Sequence, residues 1–349
     1  MKKGQTSDQG LKLLKEDLKA QQLRPLYLFH GEESYLRFHY LKELQALALP
    51  AGTETFNFHQ FSGKEIEVDQ VLGAIDSFPM MAERSFVLIS DWDIFKLGEA
   101  DRQKMLDMLE DLPDYCTILL HYDLFPYVAD GRTKMATTLA KVGLSVEFPL
   151  QTEGVLLSWI EKQRIPALNK RISTETAREL LFYCGASMTN LITEMEKISA
   201  YALGEEITIE DIHGVATPHL NAIVFQMTDA IGAKDFDLAI KTLGDLFQMQ
   251  EKANSKKKEK ELGILGALSR QIRQLYMAKL GEGKGEAYVA NLLGLQPFIA
   301  RRVIASARRF SLEWCRQGVI LCGETDKRMK SSGEDGEALL TQLLLALQW

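Results

Sequence analysis

Leu26-Tyr27-Leu28-Phe29-His30-Gly31-Glu32-Glu33-Ser34-Tyr35-Leu36-Arg37 is the stretch that decides the fold class. An apolar run follows Pro25 and closes on His30-Gly31, which predicts a buried strand ended by a turn. Ser34 then predicts a helix cap, because Leu36, Tyr40, Leu41 and Leu44 recur behind it at helical spacing. The same alternation continues downstream. Phe56, Phe58 and Phe61 predict a second strand, Ser85–Ile89 a third, Cys116–Leu120 a fourth and Leu144–Phe148 a fifth. Ala100–Leu112 and Thr133–Val142 carry helical periodicity between them. Strand and helix in alternation predict an α/β domain with a parallel sheet covered by helices.

After Pro149 the pattern becomes all-helical. Gln151–Gln163 places Val155, Leu156, Trp159 and Ile160 on one stripe, and Ser173 can cap a helix that runs to Gly185, a natural stop. Met188–Leu203 and a helix led by Thr208 complete a small module near Pro218. From Asn221 onward the helices lengthen: Asp235–Met249, Gly263–Leu280, Pro297–Phe310, Leu312–Met329 and Glu337–Leu347. The lysine-rich stretch Lys252–Lys260 reads as a basic loop or as a solvated helix start.

The 349 residues suffice for two or three domains, with 46% hydrophobic and 26% charged side chains in ordinary globular proportion. No run approaches the ~20 apolar residues of a membrane span, and the polar start Met1–Gln5 predicts no signal peptide. Cys116, Cys184, Cys315 and Cys322 form no CxxC pair, so a reducing cytoplasm is expected rather than a zinc ribbon or a disulfide framework. A net charge of −7 means that any nucleic-acid contact must come from a local patch.

Catalytic chemistry finds no support in the motifs. A strand, a glycine and a helix are where a P-loop holds phosphates, yet Gly31–Arg37 lacks the second glycine and the lysine of GxxxxGK[ST]. Its two carboxylates would also repel a triphosphate. Asp91, at the end of the third strand, reads as a turn residue rather than a magnesium ligand, and Thr133 as a helix cap. The histidines show no HxxxH or HExxH spacing, His213 and His219 flank a helix end, and no GxSxG elbow is present. No metal and no cofactor is expected.

Several segments, taken in order, resemble the delta-subunit family of the bacterial DNA polymerase III clamp loader. They are Leu26–Leu36, Phe78–Val87, Gly185–Ile198, Arg308–Ser311 and Asp326–Gly333, so the resemblance spans nearly the whole chain. It implies an AAA+-like α/β domain without a functional P-loop over 1–148, a small helical lid over 149–216 and an all-α collar for oligomerisation over 217–349. It further implies a subunit without catalysis of its own, belonging to a DNA-directed DNA polymerase holoenzyme. Its partners would be the sliding clamp (beta), the ATPase subunits (gamma/tau), delta prime and primed DNA, with no membrane.

The implied clamp contact is Ser77-Phe78-Pro79-Met80-Met81, where proline stops a helix ending near Ile75 and turns the next apolar side chains outward. By position, Met80 and Met81 are the pair that would enter a pocket of the clamp; thioethers fill irregular pockets well. On residue pattern alone, Phe78, Met80 and Met81 fit this protein's own core equally well. Lys256, Lys257, Lys258, Lys260, Arg270 and Arg273 are candidates for DNA phosphates, with a solvated basic face as the other reading. The alternatives to a clamp-opening subunit are a nucleotide-binding AAA+ ATPase and a helical adaptor unrelated to replication.

Overall fold

The computed structural model describes residues 7–63, 66–124, 126–127, 131–251, 257–295 and 297–348. Two compact units emerge, one of residues 1–151 with 187–189, the other of 152–186 with 190–349.

In the first unit the elements run α1 (Ser7–Ala20), β1 (Leu26–His30), α2 (Ser34–Ala48), α3 (Glu54–Asn57), β2 (Phe58–Ser62), α4 (Val68–Asp76), β3 (Ser85–Ser90), α5 (Glu99–Glu110), β4 (Cys116–His121), α6 (Lys134–Val142) and β5 (Leu144–Glu147). All neighbouring strands pair in parallel, in the order β2-β3-β4-β1-β5. The central strands β1, β3 and β4 are buried on both faces because both are covered, whereas the edge strands β2 and β5 are only partly buried. Leu26, Leu28, Val87, Ile89, Ile118 and Leu120 pack with α4, α5 and α6, whereas Tyr27, Phe29, Phe86, Leu88, Leu119 and Val146 pack with α1 and α2. Alternate residues of β1, β3 and β4 thus feed two separate cores, and the unit is a three-layer α/β/α sandwich.

Two local expectations are corrected. Phe56 is not in the second strand: its N–H and that of Asn57 both bond to the Thr53 carbonyl, 3.1 Å each, so the chain makes the one-turn α3 before β2 begins. The cap of α2 is Glu33 rather than Ser34, since a Glu33 carboxylate oxygen accepts from Tyr35 N at 3.2 Å. Thr133 does cap α6, accepting from Ala136 N at 3.2 Å.

The second unit contains α7 (Glu153–Trp159), which passes through a π turn into α8 (Ile165–Ala167), then β6 (Arg171–Ile172), α9 (Thr174–Cys184), α10 (Met188–Tyr201), β7 (Glu206–Ile207) and α11 (Ile209–Val215). There follow α12 (Leu220–Gly232), α13 (Phe236–Glu251), α14 (Lys257–Leu280), α15 (Glu286–Leu293), α16 (Pro297–Ala307), α17 (Leu312–Ser331) and α18 (Gly336–Ala346). Ser173 and Thr208 cap α9 and α11 as expected, the latter in a reciprocal capping box with Asp211. The buried core shared by α12–α18 runs from Ile223 to Leu347. All four cysteines are buried and free. Among the described residues no helix is long and apolar enough to cross a membrane.

One backbone position is critical to the sheet. Gly31 sits at φ +116, and a Cβ there would lie 2.4 Å from the Phe148 carbonyl oxygen. Phe148 N in turn donates to His30 O at 2.8 Å, holding the end of β1 to the chain leaving β5. Gly31→Ala should therefore cost about 2 kcal/mol or more, read as a lower urea midpoint of unfolding.

The strand ends also set a pH response. Burial lowers the pKa of His30 and of His121, and His121 Nε2 has no hydrogen-bond partner among the described residues. The unfolded chain binds these protons near pH ~6.5, whereas the native state resists them. This contribution is complete above that pH and is lost as pH falls toward the depressed native value. Amide exchange in β1 and β4 should accelerate from pH 7 to 5 beyond its intrinsic pH dependence, and His121→Asn should flatten that excess.

Candidate functional site

The site grows from the end of α4. Val68, Val71, Ala74 and Ile75 bury one face of this helix against the sheet, which fixes where it stops. The Ser77 hydroxyl donates to the Gly73 carbonyl at 2.7 Å, and Pro79 cannot continue the helical bonding. Phe78 stacks on Tyr115 with ring centroids 4.7 Å apart, while the Tyr115 hydroxyl donates to the Asp76 carbonyl at 3.2 Å.

Beyond proline the loop is held by one buried side chain. The Asn57 amide oxygen accepts from Met80 N at 2.7 Å and its NH2 donates to Met80 O at 2.8 Å, so one carboxamide grips both backbone edges of Met80. The same NH2 donates back to Thr53 O at 3.1 Å, tying the loop to α3. Met81 takes a left-handed backbone, φ +57, which costs a residue with a Cβ on the order of 1 kcal/mol and persists only when its surroundings enforce it. With the main chain held in this way, Phe78, Met80 and Met81 are 78, 56 and 88% exposed. Three large apolar side chains on a pinned loop have the form of a binding hot spot, not of core residues. Sequence reading missed Asn57, whose partner lies 23 residues away and is main chain; no local pattern signals it.

A second cluster occupies the place where a phosphate cradle would sit. The Arg37 guanidinium, 3% exposed, donates to the Gly31 carbonyl and to the Asp123 carboxylate. Asp91, at φ +55 after β3, accepts from Asp123 N and Leu124 N at 2.8 Å each, so it is the turn residue expected. Glu33, also buried, serves the first turn of α2 with its own carboxylate, and burial raises its pKa. The helix N-terminus that attracts an anion in a phosphate site already faces one here.

Five of the six basic candidates lie on one helix, α14. Lys256 lies outside the described residues. Lys257 opens α14 and its ammonium is taken by Asp335 at 2.9 Å, Glu337 at 3.5 Å and Glu261 at 3.7 Å; the Asp335 bond chiefly raises its pKa. Lys258 and Lys260 occupy the first turn of the same helix, while Arg270 and Arg273 stand exposed further along it. These four form no ion pair among the described residues.

The family described as DNA polymerase III, delta subunit, matches residues 27–148, and that described as DNA polymerase III delta subunit, C-terminal domain, matches residues 221–347. DNA polymerase III subunit delta of Bacillus subtilis is 24% identical over 345 residues, 95% of each chain. The solved structure of the Bacillus subtilis DNA clamp loader delta protein shares the fold, with a TM-score of 0.54 at 22% identity over 97% of this chain and 99% of that one. With both matches in order and the likeness running nearly end to end, the chain belongs to the DNA polymerase III delta subunit family.

Proposed function

We propose that this chain binds the ring-shaped sliding clamp through Ser77-Phe78-Pro79-Met80-Met81 and biases the ring toward its open form, so that it can be loaded onto primed DNA. The observation that carries the reading is the exposure of Phe78, Met80 and Met81 on a loop whose backbone is fixed. An anchor held in place before contact loses little entropy on binding, which is what turns apolar area into affinity. Met80 and Met81 would each contribute ~1.5–3 kcal/mol if fully buried in a dry pocket.

Binding alone does not open a ring. A ligand shifts an equilibrium only by its differential affinity for the two states, and turning 1:99 into 99:1 takes ~5.5 kcal/mol. In this reading α4, packed rigidly on the sheet, bears on the clamp's interface while the methionines hold. The energy comes from binding and no hydrolysis by this chain is involved, consistent with the Arg37 and Glu33 side chains that fill the cradle. ATP would act through the neighbouring gamma/tau subunits of the loader, assembled with delta prime. Primed DNA would be met at Lys258, Lys260, Arg270 and Arg273, since Lys257 is already paired with Asp335, Glu337 and Glu261.

Two measurements check this. Replacing both methionines (Met80→Ala with Met81→Ala) should weaken clamp binding about a hundredfold or more in calorimetry; unchanged affinity would remove the reading. Asn57→Ala would leave two main-chain groups of Met80 without partners, a loss of about 1–3 kcal/mol. Its expected signs are faster amide exchange across residues 77–81 and weaker clamp binding with all three apolar side chains still present.

A further inference from the structure

We propose that Phe56 is a second anchor for the clamp, supplied from a different segment of the chain than the Ser77–Met81 loop. The inference rests on the clamp-binding reading and extends it.

Phe56 stands out by its lack of a structural task. Phe58, two residues on, turns inward and sets its ring 6.2 Å from that of Phe86 in the core. Asn57, between them, is fully buried. Phe56 itself is 54% exposed, on the short turn α3, where Glu54 and Thr55 before it are also exposed. A single exposed phenylalanine needs no explanation. Its address does: the next residue is the one whose side chain grips Met80 N and Met80 O at 2.7 and 2.8 Å. That double bond, with the return bond from Asn57 to Thr53 O at 3.1 Å, fastens α3 to the loop. The turn bearing Phe56 and the loop bearing Phe78, Met80 and Met81 are thus fastened to each other through Asn57, and all four side chains are exposed.

The occupant of Phe56 is therefore the surface of the sliding clamp bordering the pocket that receives Met80 and Met81. A flat aromatic beside two flexible thioethers provides what methionine lacks, a large contact area with few rotatable bonds. Aromatic residues near the centre of an apolar patch are also where interface energy concentrates. Phe56 acts by its apolar area, so leucine should largely replace it and glutamine should not.

The test is titration of the full-length chain with the purified sliding clamp, comparing Phe56→Gln, Phe56→Leu and the double methionine variant. Leu203→Gln, at a fully exposed leucine of the second unit, serves as the surface control. Phe56→Gln is expected to weaken binding about tenfold, with Phe56→Leu near the parent, Leu203→Gln unchanged and thermal unfolding preserved in all. If Phe56→Gln binds as the parent does while the methionine variant fails, the second anchor is overturned and the loop reading stands. If neither variant loses affinity, both fall together. An equal loss in Phe56→Leu and Phe56→Gln, or one accompanied by a drop in thermal stability, would mark a folding role and overturn the anchor.

Discussion

The grip of the Asn57 carboxamide on both backbone edges of Met80 is the interaction on which the rest of the site depends. An exposed apolar loop in water tends to fold back on itself or onto the nearest core, because that removes its surface from solvent. Here the main chain cannot follow. It is bonded at Met80, stopped by Pro79 and stacked at Phe78 on Tyr115, and the side chains remain outside. Asn57 is itself buried, so its bonds compete with little water and are correspondingly firm. Ordering that would otherwise be lost at the moment of binding is completed when the domain folds.

The junction of β1 and α2 is closed by side chains of the chain itself. In a P-loop protein the end of β1 and the start of α2 are drawn together around phosphates. In this chain they are drawn together by Arg37, which bridges the Gly31 carbonyl and Asp123, and by Glu33 on the first turn of the helix. The buried guanidinium has a carboxylate partner and a carbonyl, so the charge is not stranded. The β1–α2 junction is thus completed from within the first unit.

Much of this architecture is legible in the sequence, and the failures have physical reasons. β1, β3 and β4 are read correctly because both faces are buried, which leaves continuous apolar runs such as Ser85–Ile89 and Cys116–Leu120, and β5 is read from Leu144 and Val146 on its one buried face. The second strand is read too early, because Phe56, Phe58 and Phe61 look alike in pattern although only the last two belong to β2. Helix α1 escapes notice since it is polar except for a stripe that includes Leu14, and α12 because it is apolar nearly all round. Ser34 resembles a cap more than Glu33 does, yet the carboxylate wins the position. The Ser77–Met81 loop could be located by its proline, but its exposure could not, for that is set by Asn57 and Tyr115 from distant segments. Contacts between a side chain and remote main chain leave no periodic trace.

A clamp-opening role without nucleotide makes one demand that the alternatives do not. The isolated chain, in buffer free of ATP, must form a complex with the closed sliding clamp, and the binding heat must carry the negative heat-capacity change of apolar burial. Titration calorimetry of the purified chain against the purified ring, repeated at several temperatures, measures both. A nucleotide-independent complex with that signature is the result expected; no binding, or binding only after ATP is added, would contradict the account.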